Sequence, residues 1–189
     1  MNKLFDKDGY VLVNNVISKD LCKLLENELK LTKKVLSKLT PNEISSGDSA
    51  VKDNSFPYYG SVGSESLLQM MTEKIENTVG KKLYPTYSYS RIYYKGAVLP
   101  KHVDRPACQY SATITISADK NNIWDIYLNN NKVTIPIGSM AVYKGCEIEH
   151  WREPYDGEEQ VQIFIHYVDQ DGVYANQKYD KREYLGMPK

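Results

Sequence analysis

Thr86-Tyr87-Ser88-Tyr89-Ser90-Arg91-Ile92-Tyr93-Tyr94-Lys95-Gly96 is the stretch at which the chain changes texture. Aromatic residues recur along it and Lys95-Gly96 closes it as a turn, so it reads as a strand over 86–95. Short β-rich segments follow at 109–117, 123–128, 132–136, 139–143 and 160–168, with Asn129-Asn130-Asn131, Ile137-Gly138 and Asp156-Gly157 between them. Several short strands with regular turn signals predict an all-β sandwich or barrel.

Upstream the pattern is different. Asp8-Gly9 reads as a turn before a short strand, Tyr10-Val11-Leu12-Val13. Ser18 is a helix N-cap, and Leu21, Leu24, Leu25, Leu29, Val35, Leu36 and Leu39 recur at helical spacing until Pro41. Residues 42–62 are rich in Ser, Gly, Asp, Asn and Pro and read as a loop. A second helix starts at Gly63-Ser64, carries Leu67, Leu68, Met71, Ile75 and Val79 on one face, and stops at Gly80. The chain therefore reads as mainly β with flanking α-helices, one domain over 1–189. Residues 1–84 form a mostly helical buttress, 85–170 the β core, and 171–189 a polar, tyrosine-bearing tail that wraps the surface or frays.

Composition excludes more than it selects. Of 189 residues, 24 are Lys or Arg and 24 Asp or Glu, so no net field attracts nucleic acid or an anionic membrane. No apolar run is long enough to span a bilayer. The start, Met1-Asn2-Lys3-Leu4-Phe5-Asp6, lacks a signal-peptide core, and the expected location is cytoplasmic. Cys22, Cys108 and Cys146 form no C-x-x-C pair, which argues against a disulfide framework or a structural zinc site. Oligomeric state leaves no trace in the sequence.

Only three histidines occur, at 102, 150 and 166, all in the β-rich half. His102-Val103-Asp104 places two metal-ligand side chains at i and i+2, on one face if the segment is extended. His150 follows the strand 139–143 and the turn Lys144-Gly145, and in a closed sheet it returns beside them. Two imidazoles and a carboxylate on one face hold an iron ion while leaving three octahedral positions open. On their own, His102 and Asp104 also read as a solvated turn pair.

The flanks carry a resemblance. Tyr93-x-x-Gly96 followed by His102-x-Asp104 resembles the prolyl 4-hydroxylase-like branch of the iron(II)- and 2-oxoglutarate-dependent dioxygenases. Gly138-Ser139-Met140-Ala141-Val142-Tyr143, then His150 with Pro154, is similar to the strand and distal H-x-x-x-P of that superfamily. Asp8-Gly9-Tyr10-Val11 looks like the opening of its phytanoyl-CoA dioxygenase-like members. The resemblance implies a double-stranded β-helix core, of jelly-roll or cupin-like form, with His102, Asp104 and His150 as iron ligands and Tyr93 donating to the co-substrate. It also implies iron(II), 2-oxoglutarate and dioxygen, with ascorbate as a supporting reductant. The related halogenases lack the ligand carboxylate, which is present here as Asp104, so hydroxylation is expected.

One part of the family pattern is missing. An arginine or lysine normally stands about nine to twelve residues after the distal histidine to pair with the far carboxylate of 2-oxoglutarate, whereas this chain has Glu159, Gln160, Val161 and Gln162. Strand parity offers Arg152, at i+2 from His150, and then Arg91, at i−2 from Tyr93, with Gln160 or Gln162 adding amide hydrogen bonds. A surface salt bridge is the other reading of each arginine. Arg105, beside Asp104, can orient that carboxylate or meet a substrate. His166, on the parity of Gln160, Gln162 and Phe164, reads as a core histidine or a group facing substrate. The expected substrate is a prolyl-like peptidyl residue or a small molecule, admitted past 105–108 and Tyr58-Tyr59-Gly60. A non-catalytic cupin-like metal- or ligand-binding module is the rival from another class.

Overall fold

In a computed structural model of the protein, residues 3–39, 54–119 and 122–189 are described. Among the described residues three α-helices, α1 (Lys3–Asp8), α2 (Lys19–Leu39) and α3 (Val62–Val79), accompany ten strands. The strands are β1 (Tyr10–Val13), β2 (Ser55–Tyr59), β3 (Leu83–Tyr94), β4 (Leu99–His102), β5 (Tyr110–Ala118), β6 (Ile126–Leu128), β7 (Asn131–Val133), β8 (Met140–Tyr143), β9 (His150–Arg152) and β10 (Glu159–Asp169). A six-stranded antiparallel sheet in the order β1-β8-β5-β10-β3-β2 faces a four-stranded one in the order β4-β9-β6-β7. Two antiparallel sheets enclosing a core, with helices outside, form a double-stranded β-helix.

The period of two along β3 and β10 builds both layers at once. On β10, Val161, Ile163 and Ile165 join one cluster with Leu67, Leu68, Met71 and Ile75 of α3 and Leu25 and Leu29 of α2. The alternate residues Gln160, Gln162, Phe164 and His166 face the other way, into the space between the sheets, as do Tyr87, Tyr89, Arg91 and Tyr93 of β3. A polar interior beside an apolar helix-facing layer is what a site requires.

The helices end where capping chemistry places them. Ser18 Oγ accepts from Leu21 N at 3.2 Å, and Ser61 Oγ accepts from Ser64 N at 3.0 Å. Gly80 adopts φ 72° and its N–H bonds to the Glu76 carbonyl, the left-handed stop expected of glycine. All five apolar residues predicted for the α3 face are buried. On α2 the buried face is Cys22, Leu25 and Leu29, whereas Leu24, Val35 and Leu39 are exposed, so its apolar stripe is narrower than the sequence suggests.

Other expectations are corrected. Ser55–Tyr59, inside the stretch read as a loop, is a strand at the sheet edge, where Pro57 costs no ladder bond; the part of that reading over 42–53 lies outside the described residues. The segments read as strands over 123–128 and 132–136 are strands only at 126–128 and 131–133. Of the two readings of the tail, wrapping the surface or fraying, the described contacts fit the first. Arg182 Nη2 and Glu65 Oε1, 2.6 Å apart and 5% and 2% exposed, clamp it against α3. Among the described residues no helix is long and apolar enough to cross a membrane.

Candidate metal and co-substrate site

His102 and His150 are cross-strand partners, the last residue of β4 opposite the first of β9. Their ring centroids are 4.3 Å apart. The strand ends at His102, so the i, i+2 geometry of an extended segment does not place Asp104. Instead its N–H donates to the Gly145 carbonyl at 2.8 Å, which ties it to the turn before β9. Asp104 Oδ1 is then 3.8 Å from His102 Nε2 and 3.5 Å from His150 Nε2. One ligand atom from each residue lies within 4.8 Å of the others.

Each ring is also held in a defined tautomer. His102 Nδ1 lies 2.7 Å from the Pro100 carbonyl and His150 Nδ1 2.8 Å from the Ile148 carbonyl. A carbonyl only accepts, so Nδ1 carries the proton and Nε2 presents its lone pair to the centre. Asp104 Oδ2 accepts from Ser111 Oγ at 2.9 Å, and Ser111 Oγ is 2.9 Å from His166 Nδ1. Since the hydroxyl has one proton and gives it to Asp104, His166 Nδ1–H donates to Ser111. Burial pushes Asp104 up, but His150, His166 and the Ser111 hydroxyl outweigh it and hold the carboxyl below its ordinary value. Burial pushes His166 down to about 4 despite the Asp104 carboxylate, so this ring is neutral near pH 7. The donor set of two imidazoles and an ionised carboxylate fits a divalent iron ion.

The three ligands open onto a cavity of about 270 Å³ whose wall includes Tyr87, Tyr89, Arg91, Tyr93, Arg105 and His166. Tyr93 is buried and meets Trp124 edge-on at 5.0 Å. Arg91 is buried and donates from Nη1 to Ser55 Oγ at 2.9 Å. Arg105 pairs with Asp180 through two bonds of 2.7 and 2.9 Å, not with Asp104, and its guanidinium lies 4.5 Å from the Tyr87 ring centroid.

Arg152 sits behind the wall, in register with Leu99, which lines the cavity. It is 1% exposed and its guanidinium lies 5.1 Å from the Trp124 ring centroid. Nη1 donates to the Trp124 carbonyl, while Nε and Nη2 have no hydrogen-bond partner among the described residues. Burial pushes its pKa down to about 10, although the Tyr93 and Tyr143 hydroxyls favour the charge. Two orphaned donors on one buried fork are costly. Gln160 and Gln162 do not reach the cavity wall. Gln160 Oε1 accepts from Trp124 N at 2.8 Å, and Gln162 bonds to Thr113 and Thr115 at 3.1 and 2.9 Å.

Several site residues escape sequence reading. Ser111, which orients Asp104, has no local signal. Asp180 and Lys189 come from the tail: Asp180 is 3% exposed and accepts from Arg105, Lys189 and Tyr59, and Lys189 lines the cavity. Tyr59, expected at the opening, also lines it.

No protein-family model and no curated protein matches the sequence. Solved structures do match. A Pseudomonas putida prolyl-4-hydroxylase superposes with a TM-score of 0.68 at 13% identity, over 88% of this chain and 95% of that one. The viral collagen prolyl hydroxylase of Paramecium Bursaria Chlorella virus-1, solved with 2OG, superposes with a TM-score of 0.62 at 13% identity over 86% and 97%. The chain has the fold of the 2-oxoglutarate- and iron(II)-dependent oxygenases. HygX from Streptomyces hygroscopicus, holding nickel, 2-oxoglutarate and hygromycin B, has this oxygenase fold too, with a TM-score of 0.68 at 12% identity over 89% and 86%.

Proposed function

We propose that the protein is an iron(II)- and 2-oxoglutarate-dependent oxygenase that hydroxylates an unactivated C–H bond of a small molecule or a peptidyl residue. One observation carries the reading: the His102–Asp104–His150 triad, with both Nε2 atoms turned inward, opens on a cavity beside a buried arginine fork with two unused donors.

His102, Asp104 and His150 would hold the iron, and three octahedral positions would stay open. Arg152 would take the far carboxylate of 2-oxoglutarate on its Nε and Nη2 edge, the side that presents two parallel N–H groups. Tyr93 would donate to the same co-substrate from the cavity wall. Together, iron and co-substrate supply the oxidising power, with dioxygen converting 2-oxoglutarate to succinate and carbon dioxide and one oxygen atom entering the substrate C–H bond.

The protein's own contribution is positioning. Backbone carbonyls fix the two imidazole rings and Ser111 fixes the carboxylate. Asp104 supplies a carboxylate where the related halogenases lack one, which supports hydroxylation over halogenation.

Succinate release tests the reading. Protein supplied with iron(II), 2-oxoglutarate, ascorbate and oxygen is expected to form succinate, slowly alone and faster with a substrate, while Asp104→Ala forms none. Equal traces from both proteins across a broad substrate set would favour a binding module instead.

A further inference from the structure

His102 and His150 each commit one ring nitrogen to a backbone carbonyl and turn the other toward the metal position. His166 is bound differently. Its Nδ1 meets Ser111 Oγ at 2.9 Å, and the same oxygen lies 2.9 Å from Asp104 Oδ2 and 3.1 Å from the Cys108 carbonyl. An ionised carboxylate and a carbonyl only accept. The single hydroxyl proton therefore serves one of them, and the proton between Ser111 and the ring belongs to Nδ1. Burial keeps this ring neutral near pH 7, so Nε2 is left with a lone pair. Nε2 has no hydrogen-bond partner among the described residues, and it is not among the side-chain atoms sealed from solvent without one, which belong to Ser88, Arg152 and Tyr155. The lone pair is thus reachable from the cavity that the ring lines.

The corner around it has few other polar groups to offer. The His166 ring lies 4.5 Å from that of Tyr87, which stacks on Tyr59 at 5.2 Å. Tyr87 Oη is 3.1 Å from Cys108 Sγ, and Tyr59, Arg105 and Lys189 all donate to Asp180. This corner also stands apart from the groups assigned to the co-substrate. On β10, His166 is six positions beyond Gln160, which shares the Trp124 carbonyl with Arg152, and six positions of extended chain span about 20 Å.

We propose that the primary substrate donates a hydrogen bond to His166 Nε2, and so carries a hydroxyl or N–H group within a few bonds of the C–H bond that is oxidised. This rests on the oxygenase reading above. Ser111 bridges His166 to the ligand Asp104, which sets the acceptor beside the triad rather than at the rim of the cavity. A donor held there fixes which carbon is turned toward the metal, while the Tyr87 and Tyr59 rings cover the apolar remainder of the molecule. The selectivity is one-sided. A substrate that meets Nε2 with a methyl group or an ether oxygen leaves the nitrogen desolvated and unpaired, a cost that the donor-bearing molecule avoids.

Ring-nitrogen NMR reads the acceptor directly. In metal-free protein labelled with nitrogen-15 histidine, His166 is expected to show a protonated Nδ1 and an unprotonated Nε2 at pH 7, its signals assigned by their loss in His166→Gln. Protein loaded with zinc(II) and 2-oxoglutarate is then titrated with small alcohols and primary amides, each beside its O-methyl or N,N-dimethyl counterpart. At least one donor is expected to bind about tenfold more tightly than its methylated counterpart and to move the Nε2 signal upfield. His166→Phe, which keeps a ring against Tyr87, is expected to abolish that preference, and His166→Gln, which keeps an acceptor, to retain part of it. A proton on Nε2 in wild type, no preference for any donor, or a preference that survives in His166→Phe, its fold verified by circular dichroism, would each overturn the proposal. Failure of wild type to bind 2-oxoglutarate, measured first, would instead overturn the oxygenase reading itself.

Discussion

The Arg152 guanidinium and the Gln160 carboxamide converge on one acceptor, the Trp124 carbonyl. Gln160 stands ten residues after His150, where the oxygenase family usually carries its basic residue. Arg152 arrives at the same place from β9 rather than β10. The two strands belong to different sheets, so the proposed carboxylate anchor lies across the core from the position that holds the neutral amide.

This relationship separates a binding role for Arg152 from a structural one. Arg152→Met is expected to weaken 2-oxoglutarate binding to the metal-loaded protein by roughly 10- to 150-fold, since hydrogen bonds to charged groups contribute about 1.5–3 kcal/mol. The same change is expected to raise the melting temperature of the metal-free protein by a few degrees, because it removes a buried charge with two orphaned donors. A double variant, Arg152→Gln with Gln160→Arg, is expected to recover at least tenfold of the lost affinity. Calorimetry and thermal melts check all three; unchanged 2-oxoglutarate affinity in Arg152→Met would move the anchor elsewhere.

Gly145 is the tightest point behind the triad. A Cβ there would stand 2.5 Å from Asp104 Oδ2, 2.8 Å from Ser111 Oγ and against the Cys108 carbonyl. Gly145→Ala is therefore expected to lower stability by about 1–3 kcal/mol and, by displacing Asp104, to weaken metal binding at least tenfold. Urea melts and a competitive metal titration would show it. Wild-type metal affinity in this variant would mean that Asp104 can shift without consequence.

The tail supplies a pH dependence. Burial pushes Asp180 up, but hydrogen bonds from Arg105, Lys189 and Tyr59 outweigh it and bring its carboxyl down to about 2. A carboxyl depressed in the folded state adds stability above its unfolded pKa, near 4, and loses it as pH falls through about 2. Wild type is thus expected to lose stability between pH 4 and 2 more steeply than Asp180→Asn, which should already be less stable at pH 7. Parallel urea-melt profiles for the two proteins would contradict this.

Strong periodicity was legible in the sequence, and so were residues whose chemistry is scarce. Leu67 to Val79 declare a helix face, and three histidines in a chain of 189 residues leave few ways to build a metal site. Short elements were harder. β4 and β9 each pair over only three or four residues, too few for a period to emerge, yet they carry His102 and His150. β2 was hidden because Pro57 signals a break, and only its edge position makes that residue harmless. Asp180 was out of reach for a different reason. Its φ of 55°, between Tyr179 and Lys181 at 54° and 65°, is unfavourable locally and is sustained by partners as distant in sequence as Tyr59 and Arg105. Gln160 and Gln162 show the limit of parity: they point inward as expected, but Trp124, Thr113 and Thr115 take their amides.

The most direct test of the central claim is an anaerobic titration of the protein with iron(II) and 2-oxoglutarate, followed by the visible charge-transfer absorption of the iron chelate. The expected result is a saturable band in wild type at one iron per chain, absent in His150→Ala and shifted to much higher 2-oxoglutarate concentrations in Arg152→Met. No band in wild type, or an unchanged one in His150→Ala, would contradict the assignment.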